Sequence, residues 1–150
     1  MQDDRQIRRD TFRHSTLGEY LSAKRREKEI TSLQVAETVK ISPGYYCDIE
    51  KNRKNPSDLG LLACIAKAIY LSDEETAVLY DLAGKARSEA PPDLPAYINE
   101  NQVVRVALRL AKEKGSADDW HDFIRHLESR QPEYEARENP HKGGGQFATT

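Results

Sequence analysis

The stretch Glu29–Pro56, EITSLQVAETVKISPGYYCDIEKNRKNP, constrains the fold of this chain more than any other. Thr31 stands three residues before Gln34, the T-x-x-Q spacing in which a hydroxyl and a side-chain amide cap a helix start reciprocally. Leu33, Val35, Ala36 and Val39 then supply an apolar face. Ser42-Pro43 opens a second helix, an N-cap residue followed by proline at the first helical position. So few residues lie between Val39 and Ser42 that the connection must be a tight turn. Two short helices at a tight turn, followed by the basic loop Lys51 to Asn55, form the geometry that sets one helix in the DNA major groove.

The flanking sequence is punctuated in the same way. Thr16 with Glu19 makes a capping box for a first helix, with Leu17, Tyr20, Leu21 and Lys24 on one face. Asn55-Pro56 stops the basic loop, and Ser57 or Asp58 caps a fourth helix. There Leu59, Leu62, Ile65, Ala66 and Ile69 recur at helical spacing, with Cys64 a packing residue on the same pattern. Ser72 with Glu75 is a further capping box, followed by Val78, Leu79 and Leu82 facing inward and Gly84 near the helix end. Ala90-Pro91-Pro92-Asp93-Leu94-Pro95 reads as a stiff, extended hinge, because each proline disfavours helix in the residue before it. Beyond it Tyr97, Ile98, Val103, Val104, Ala107, Leu108 and Leu110 mark a helical segment ended by Gly115. Ser116 begins another helix, which carries Trp120, Phe123, Ile124 and Leu127.

The expected fold class is therefore all-α, a five-helix DNA-binding domain followed by a small helical C-terminal extension. The expected boundaries are a flexible arm over 1–14, the helix-turn-helix domain over 15–88 and the Pro-rich hinge over 89–95. A helical dimerisation or regulatory region over 96–130 follows, then a polar tail over 131–150 read as disordered.

Composition narrows the function. Of the 150 residues, 32% are charged and 37% hydrophobic, and no run of about 18 apolar residues occurs, so a cytoplasmic, nucleoid-associated protein with no membrane partner is expected. The first 14 residues lack the apolar core of a secretory signal. Cys47 and Cys64 have no CxxC spacing and read as reduced thiols. The histidines His14, His121, His126 and His141 show neither i, i+4 pairing nor an HExxH pattern, so no metal is expected. With no phosphate-cradling glycine loop and no nucleophile–base set, neither a cofactor nor an enzyme is expected. The net charge of −2 conceals an asymmetry: residues 1–56 hold 12 Lys/Arg against 9 Asp/Glu, and residues 57–150 hold 11 against 16. Polyanion binding therefore belongs to the N-terminal part.

A helix that enters a groove about 12 Å wide must be apolar on its scaffold side and small or polar on the other. In the third helix Tyr46 and Ile49 point into the core, while Pro43, Gly44, Cys47, Asp48 and Lys51 occupy the remaining surface, with Tyr45 at its edge. The base-facing candidates are thus Pro43, Gly44, Tyr45, Cys47 and Asp48. The small residues permit close backbone approach, and Asp48 either accepts from a cytosine amino group or pairs with Arg53 or Lys51. Cys47 is a small groove-facing residue or, near a helix N-terminus, a redox-sensitive thiol. Phosphate contacts are expected from Ser32, Gln34 and Lys40 on the second helix and from Lys51, Asn52, Arg53 and Lys54 beyond the third. Arg5, Arg8, Arg9 and Arg13 form either a minor-groove arm or a solvated tail.

The sequence LGEYLSAKRREKEITSLQVAETVKISPGYYCDIEKNRKNPSDLGLLACIAKAI resembles the DNA-binding domain of Cro/C1-type (XRE family) regulators, relatives of the lambda repressor, over residues 16–83. The likeness rests on the capping, Ala36, I-S-P-x-Y at 41–45, Ile49-Glu50, the Asn55-Pro56 loop and the L-L-x-x-I-A helix. It implies that Pro43, Gly44, Cys47 and Asp48 face bases and that Arg25 pairs with Glu50 inside the domain. Where the family favours glycine this chain has Glu29, Lys40 and Asn52, at a cost of about 1 kcal/mol each for Glu and Lys in a left-handed conformation. The groove-facing set has no Gln or Arg for a bidentate base contact, so specificity leans on Asp48, Tyr45, the arm or DNA shape.

Residues 91–130 are too few for a separate large core, so their apolar stripe must cover something. Two-fold symmetric reading of a palindrome needs a homodimer, and Val104, Leu108, Trp120, Phe123, Ile124 and Leu127 are assigned to it. Trp120 with Phe123, Ile124 and Leu127 also suits a ligand cage, though a packing stripe is the default. The segment further resembles the C-terminal stretch of regulators encoded beside ImmA/IrrE-type zinc peptidases, in P-P-D-L-P, the Arg105/Arg109 helix and Asp118-Asp119-Trp120. That likeness implies a repressor inactivated by a peptidase partner. The alternative is an antitoxin or adaptor whose acidic C-terminal helices bind a toxin, with DNA binding only autoregulatory.

Overall fold

The computed structural model describes residues 16–130; the arm expected over 1–14 and the tail expected over 131–150 lie outside them. The described residues form eight helices and no strand, an all-α architecture: α1 Leu17–Glu27, α2 Ser32–Val39, α3 Pro43–Glu50, α4 Leu59–Ala68, α5 Asp73–Arg87, α6 Pro95–Glu100, α7 Gln102–Lys114 and α8 Ala117–Glu128. They divide into two compact units, the boundary falling between Asn101 and Gln102.

Local capping chemistry sets the helix starts. Thr16, Thr31, Ser42, Ser72 and Ser116 each accept from a backbone N–H three residues on. Thr31 with Gln34 and Ser72 with Glu75 are reciprocal, since Gln34 Oε1 accepts from Thr31 N at 2.9 Å and Glu75 Oε1 from Ser72 N at 3.1 Å. Asp58 rather than Ser57 caps α4, accepting from Leu61 N at 3.0 Å. Ser116 with Asp119 adds a box that the T/S-x-x-E/Q pattern does not include.

In the first unit α2 packs on α3 and α4, and α1 on α3 and α5. Leu17, Tyr20, Leu21, Val35, Ala36, Tyr46, Ile49, Leu62, Ile65, Val78, Leu79 and Leu82 meet in one core. Three expected core positions are not there. Leu33 is 49% exposed, because at 3.6 residues per turn it lies about 160° round α2 from Val35. Cys64 is exposed for the same reason, opposite Leu62 and Ala66 on α4, and Leu59 is exposed at the first position of that helix.

Glu29, Lys40 and Asn52 all take the left-handed conformation, with φ of 55°, 64° and 59°. Tyr70 and Ser88 do so as well, at 57° and 54°, where nothing in the sequence pointed to it.

The proline segment is not an extended spacer. Leu94 N donates to Pro91 O at 3.1 Å, closing a turn, and Pro95 begins α6. The chain folds back so tightly over α5 that a Cβ on Gly84 would stand 2.8 Å from both Glu89 O and Pro91 N. The helical segment after the prolines consists of two helices, α6 and α7, broken at Asn101, whose backbone is extended and whose Nδ2 donates to Tyr97 O at 2.7 Å. The break between units thus comes after α6 and not at the prolines.

Candidate nucleic-acid interface

The turn between α2 and α3 is built by Lys40 and Ile41. Left-handed Lys40 lets Ile41 N donate back to Ala36 O at 3.0 Å, which closes α2, and Ser42 Oγ then accepts from Tyr45 N at 3.1 Å to open α3. Tyr46 and Ile49 are fully buried and anchor α3 by one face. On its other face Pro43 and Gly44 are exposed, and Cys47 and Asp48 are partly so. A Cβ on Gly44 would meet no atom within 4 Å, so the α3 backbone is open to close approach there. Tyr45 is half-buried, packed against the core from the edge of the helix.

Two connections fix the far end of α3. Arg25 Nε and Nη2 donate to the two Glu50 oxygens at 2.6 and 3.0 Å, while its Nη1 donates to Ile30 O at 2.9 Å. This bidentate pair ties the C-terminal turn of α1, the loop before α2 and the end of α3 at one point. Asn52 makes the second connection: its Oδ1 accepts from Gly18 N at 3.0 Å and its Nδ2 donates to Thr16 Oγ1 at 3.1 Å. Beside the first, the Tyr46 hydroxyl is buried without a hydrogen bond. Burial, and then the Glu50 carboxylate, push the phenol far above its ordinary range, so it stays neutral.

The basic loop folds against α3. Arg53 N and Lys54 N both donate to Asp48 O, at 2.8 and 3.2 Å. The Arg53 guanidinium lies 3.6 Å from Asp48 Oδ1, so of the two readings of Asp48 the free protein adopts the ion pair. Lys40, Lys51, Arg53 and Lys54 are exposed. Gln34 spends its Oε1 on Thr31 N and keeps its amide protons as donors. Ser32 is half-buried at the first position of α2. Asn52 differs from the rest of the phosphate set: its side chain is turned to α1 and belongs to the scaffold.

A network that sequence reasoning missed sits between α1 and α5. Lys24 Nζ is 2.9 Å from Glu75 Oε2, the Tyr20 hydroxyl donates to Glu75 O at 3.0 Å, and Lys28 donates to Tyr70 O. Glu75 is visible in the sequence as a capping residue, but nothing local shows that it also receives Lys24 from 51 positions upstream.

In the second unit no side chain of α7 or α8 is buried. Val104 is partly covered, whereas Leu108, Trp120, Phe123, Ile124 and Leu127 remain exposed, the least of them at 38%. Trp120 and Phe123 meet edge to face at 6.3 Å.

No protein-family model matches the chain, and no solved structure matches it. A stretch of 54 residues is 41% identical to the immunity repressor protein of Bacillus phage phi105, covering 36% of this chain and 37% of that protein. The chain thus carries a segment similar to a phage repressor, and the similarity spans little more than a third of that relative's length. No helix among the described residues is long and apolar enough to cross a membrane.

Proposed function

We propose that the chain is a DNA-binding transcriptional repressor of Cro/C1 type that binds a palindromic operator as a homodimer, with the five helices over 15–88 as its reading head. The supporting observation is the pairing of α2 and α3 across the Lys40–Ile41 turn, with α3 anchored by Tyr46 and Ile49 and its small-residue face open. The likeness to an immunity repressor supports the same reading. Pro43, Gly44, Tyr45, Cys47 and Asp48 face base edges, while Ser32, Gln34, Lys40, Lys51, Arg53 and Lys54 hold phosphates. Backbone contacts supply most of the affinity, so binding weakens steeply with salt. Selection of bound DNA from a random library at stated salt tests this. A palindromic motif is expected, lost on Gly44→Glu with Lys54→Glu; failure of the unmodified chain to enrich any sequence would overturn it.

A further inference from the structure

We propose that Arg87, the last residue of α5, is a positioning residue for DNA binding. By holding Asn55 O it fixes the end of the basic loop, so that Lys51, Arg53 and Lys54 meet phosphates already in place. The proposal rests on the repressor reading and adds to it a residue outside α2, α3 and the loop.

The loop is tied firmly at its start. Asn52 bonds to Gly18 N and Thr16 Oγ1, and Arg53 N and Lys54 N both donate to Asp48 O. At its end the anchor comes from 32 positions away: Arg87 Nη1 donates to Asn55 O at 3.3 Å, where Asn55 is exposed. Pro56 beside it is buried, but proline has no N–H with which to hold the backbone. A cavity of about 400 Å³ lies between Ser57 and the end of α5, lined also by Ala83, Gly84 and Pro92. Arg87 therefore spans a gap that apolar packing leaves open.

The fold-back of the chain over α5 aims the guanidinium. Ser88 is left-handed and Glu89 N donates to Gly84 O at 2.9 Å, which brings Glu89 Oε2 to 3.3 Å from Arg87 Nε. A planar guanidinium donates from Nε to the carboxylate and from Nη1 to the carbonyl at once, in fixed directions. With both ends of the loop held, the entropy of ordering it is lost on folding and not again on binding. Arg87 and Glu89 are 42% and 55% exposed, so their pair adds little to the stability of the fold. Its effect belongs to DNA affinity.

DNA titrations at low salt and thermal melts of the full chain test this, with Arg87→Ala made in two backgrounds. One is the wild type and the other a loop variant, Arg53→Ala with Lys54→Ala. In the wild type Arg87→Ala is expected to weaken DNA binding roughly fivefold and to move the melting temperature by no more than about 3 °C. In the loop variant the same change is expected to cost less than about twofold, because little is left to position. Equal losses in both backgrounds would make Arg87 a phosphate contact in its own right. A loss matched by a large fall in melting temperature would make it a structural residue. Either result, or full wild-type affinity in Arg87→Ala, overturns the proposal and leaves the repressor reading standing. A wild-type chain that binds no DNA overturns that reading, and the proposal with it.

Discussion

Arg25 grips Glu50 through two parallel hydrogen bonds while its third nitrogen holds Ile30 O, so one side chain sets the end of α3 relative to α1 and the loop before α2. Both side chains are only 12% exposed. Removing one partner of so enclosed a pair strands the other, at a cost of about 3 kcal/mol. Arg25→Ala is therefore expected to lower the melting temperature by roughly 10–20 °C. Arg25→Lys should recover little, because an ammonium cannot make the bidentate contact. Thermal melts of the two variants check this, and a lysine variant as stable as the wild type would show that geometry is not what matters.

Two glycines predict opposite outcomes for the same substitution. A Cβ on Gly18 would collide with Glu50 O and stand 2.7 Å from Asn52 Oδ1, so Gly18→Ala must push α1 and α3 apart and destabilise by about 2 kcal/mol. Gly44 has open space, and alanine there should leave stability unchanged or raise it by up to ~1 kcal/mol. Its added methyl stands on the face proposed to meet the bases, so DNA affinity should fall while the melting temperature does not. Melting curves and DNA titrations on both variants separate the two roles.

The two glycines also show where sequence reading stops. Helix starts were legible because capping is local: Thr31–Gln34 and Ser42-Pro43 carry their own geometry. The left-handed residues Glu29, Lys40 and Asn52 were legible from a family likeness, whereas Tyr70 and Ser88 belong to types with no preference for positive φ. Asn52 lies in a basic loop, and its neighbours alone point it at phosphate. Only the fold brings Thr16 and Gly18 to it from more than 30 positions upstream. At the proline segment the local rule is that proline opposes helix, which does not say whether the chain then leaves the domain or folds back over Gly84.

Glu75 gives the domain a defined acid sensitivity. Burial alone would raise its carboxyl, but the Ser72 N–H, Lys24 and Lys28 outweigh burial and hold it below the ordinary value of 4.5. A carboxyl with a folded pKa below its unfolded one adds stability above the unfolded value and loses it as pH falls through the folded one. Glu75→Gln should therefore be less stable than the wild type at neutral pH, and the gap should close below about pH 4.5. Melting temperatures of both proteins across that range test the sign; a gap that widens in acid would refute it.

Left-handed backbone makes a second, independent prediction about α2 and α3. Lys40→Gly removes steric strain at φ 64° and should stabilise by about 0.5 kcal/mol after the added freedom of the unfolded chain is counted. Glu29→Gly should behave alike. Asn52→Gly relieves similar strain but loses the bonds to Gly18 and Thr16, so it should destabilise by about 1 kcal/mol. Urea unfolding of the three variants distinguishes them, and a stabilised Asn52→Gly would mean that the side-chain bridge contributes nothing.

Asp48 and Arg53 predict an effect on DNA binding rather than on the fold. Their charges are 3.6 Å apart and both side chains are substantially open to water, so the pair contributes at most about 1 kcal/mol to stability. In the proposed complex the same carboxylate sits on the groove face, where it repels phosphate and accepts only from an amino group such as that of cytosine. Asp48→Ala removes the repulsion, and Arg53 then meets phosphate without first giving up the ion pair that the free protein makes. Affinity for arbitrary DNA should therefore rise severalfold, and the slope of log affinity against log salt should steepen by up to about one unit. Selection from a random library should at the same time lose its preference at one cytosine in each half-site. If affinity and salt slope stay at wild-type values, Asp48 does not face DNA, and α3 must be rotated about its axis from the orientation proposed.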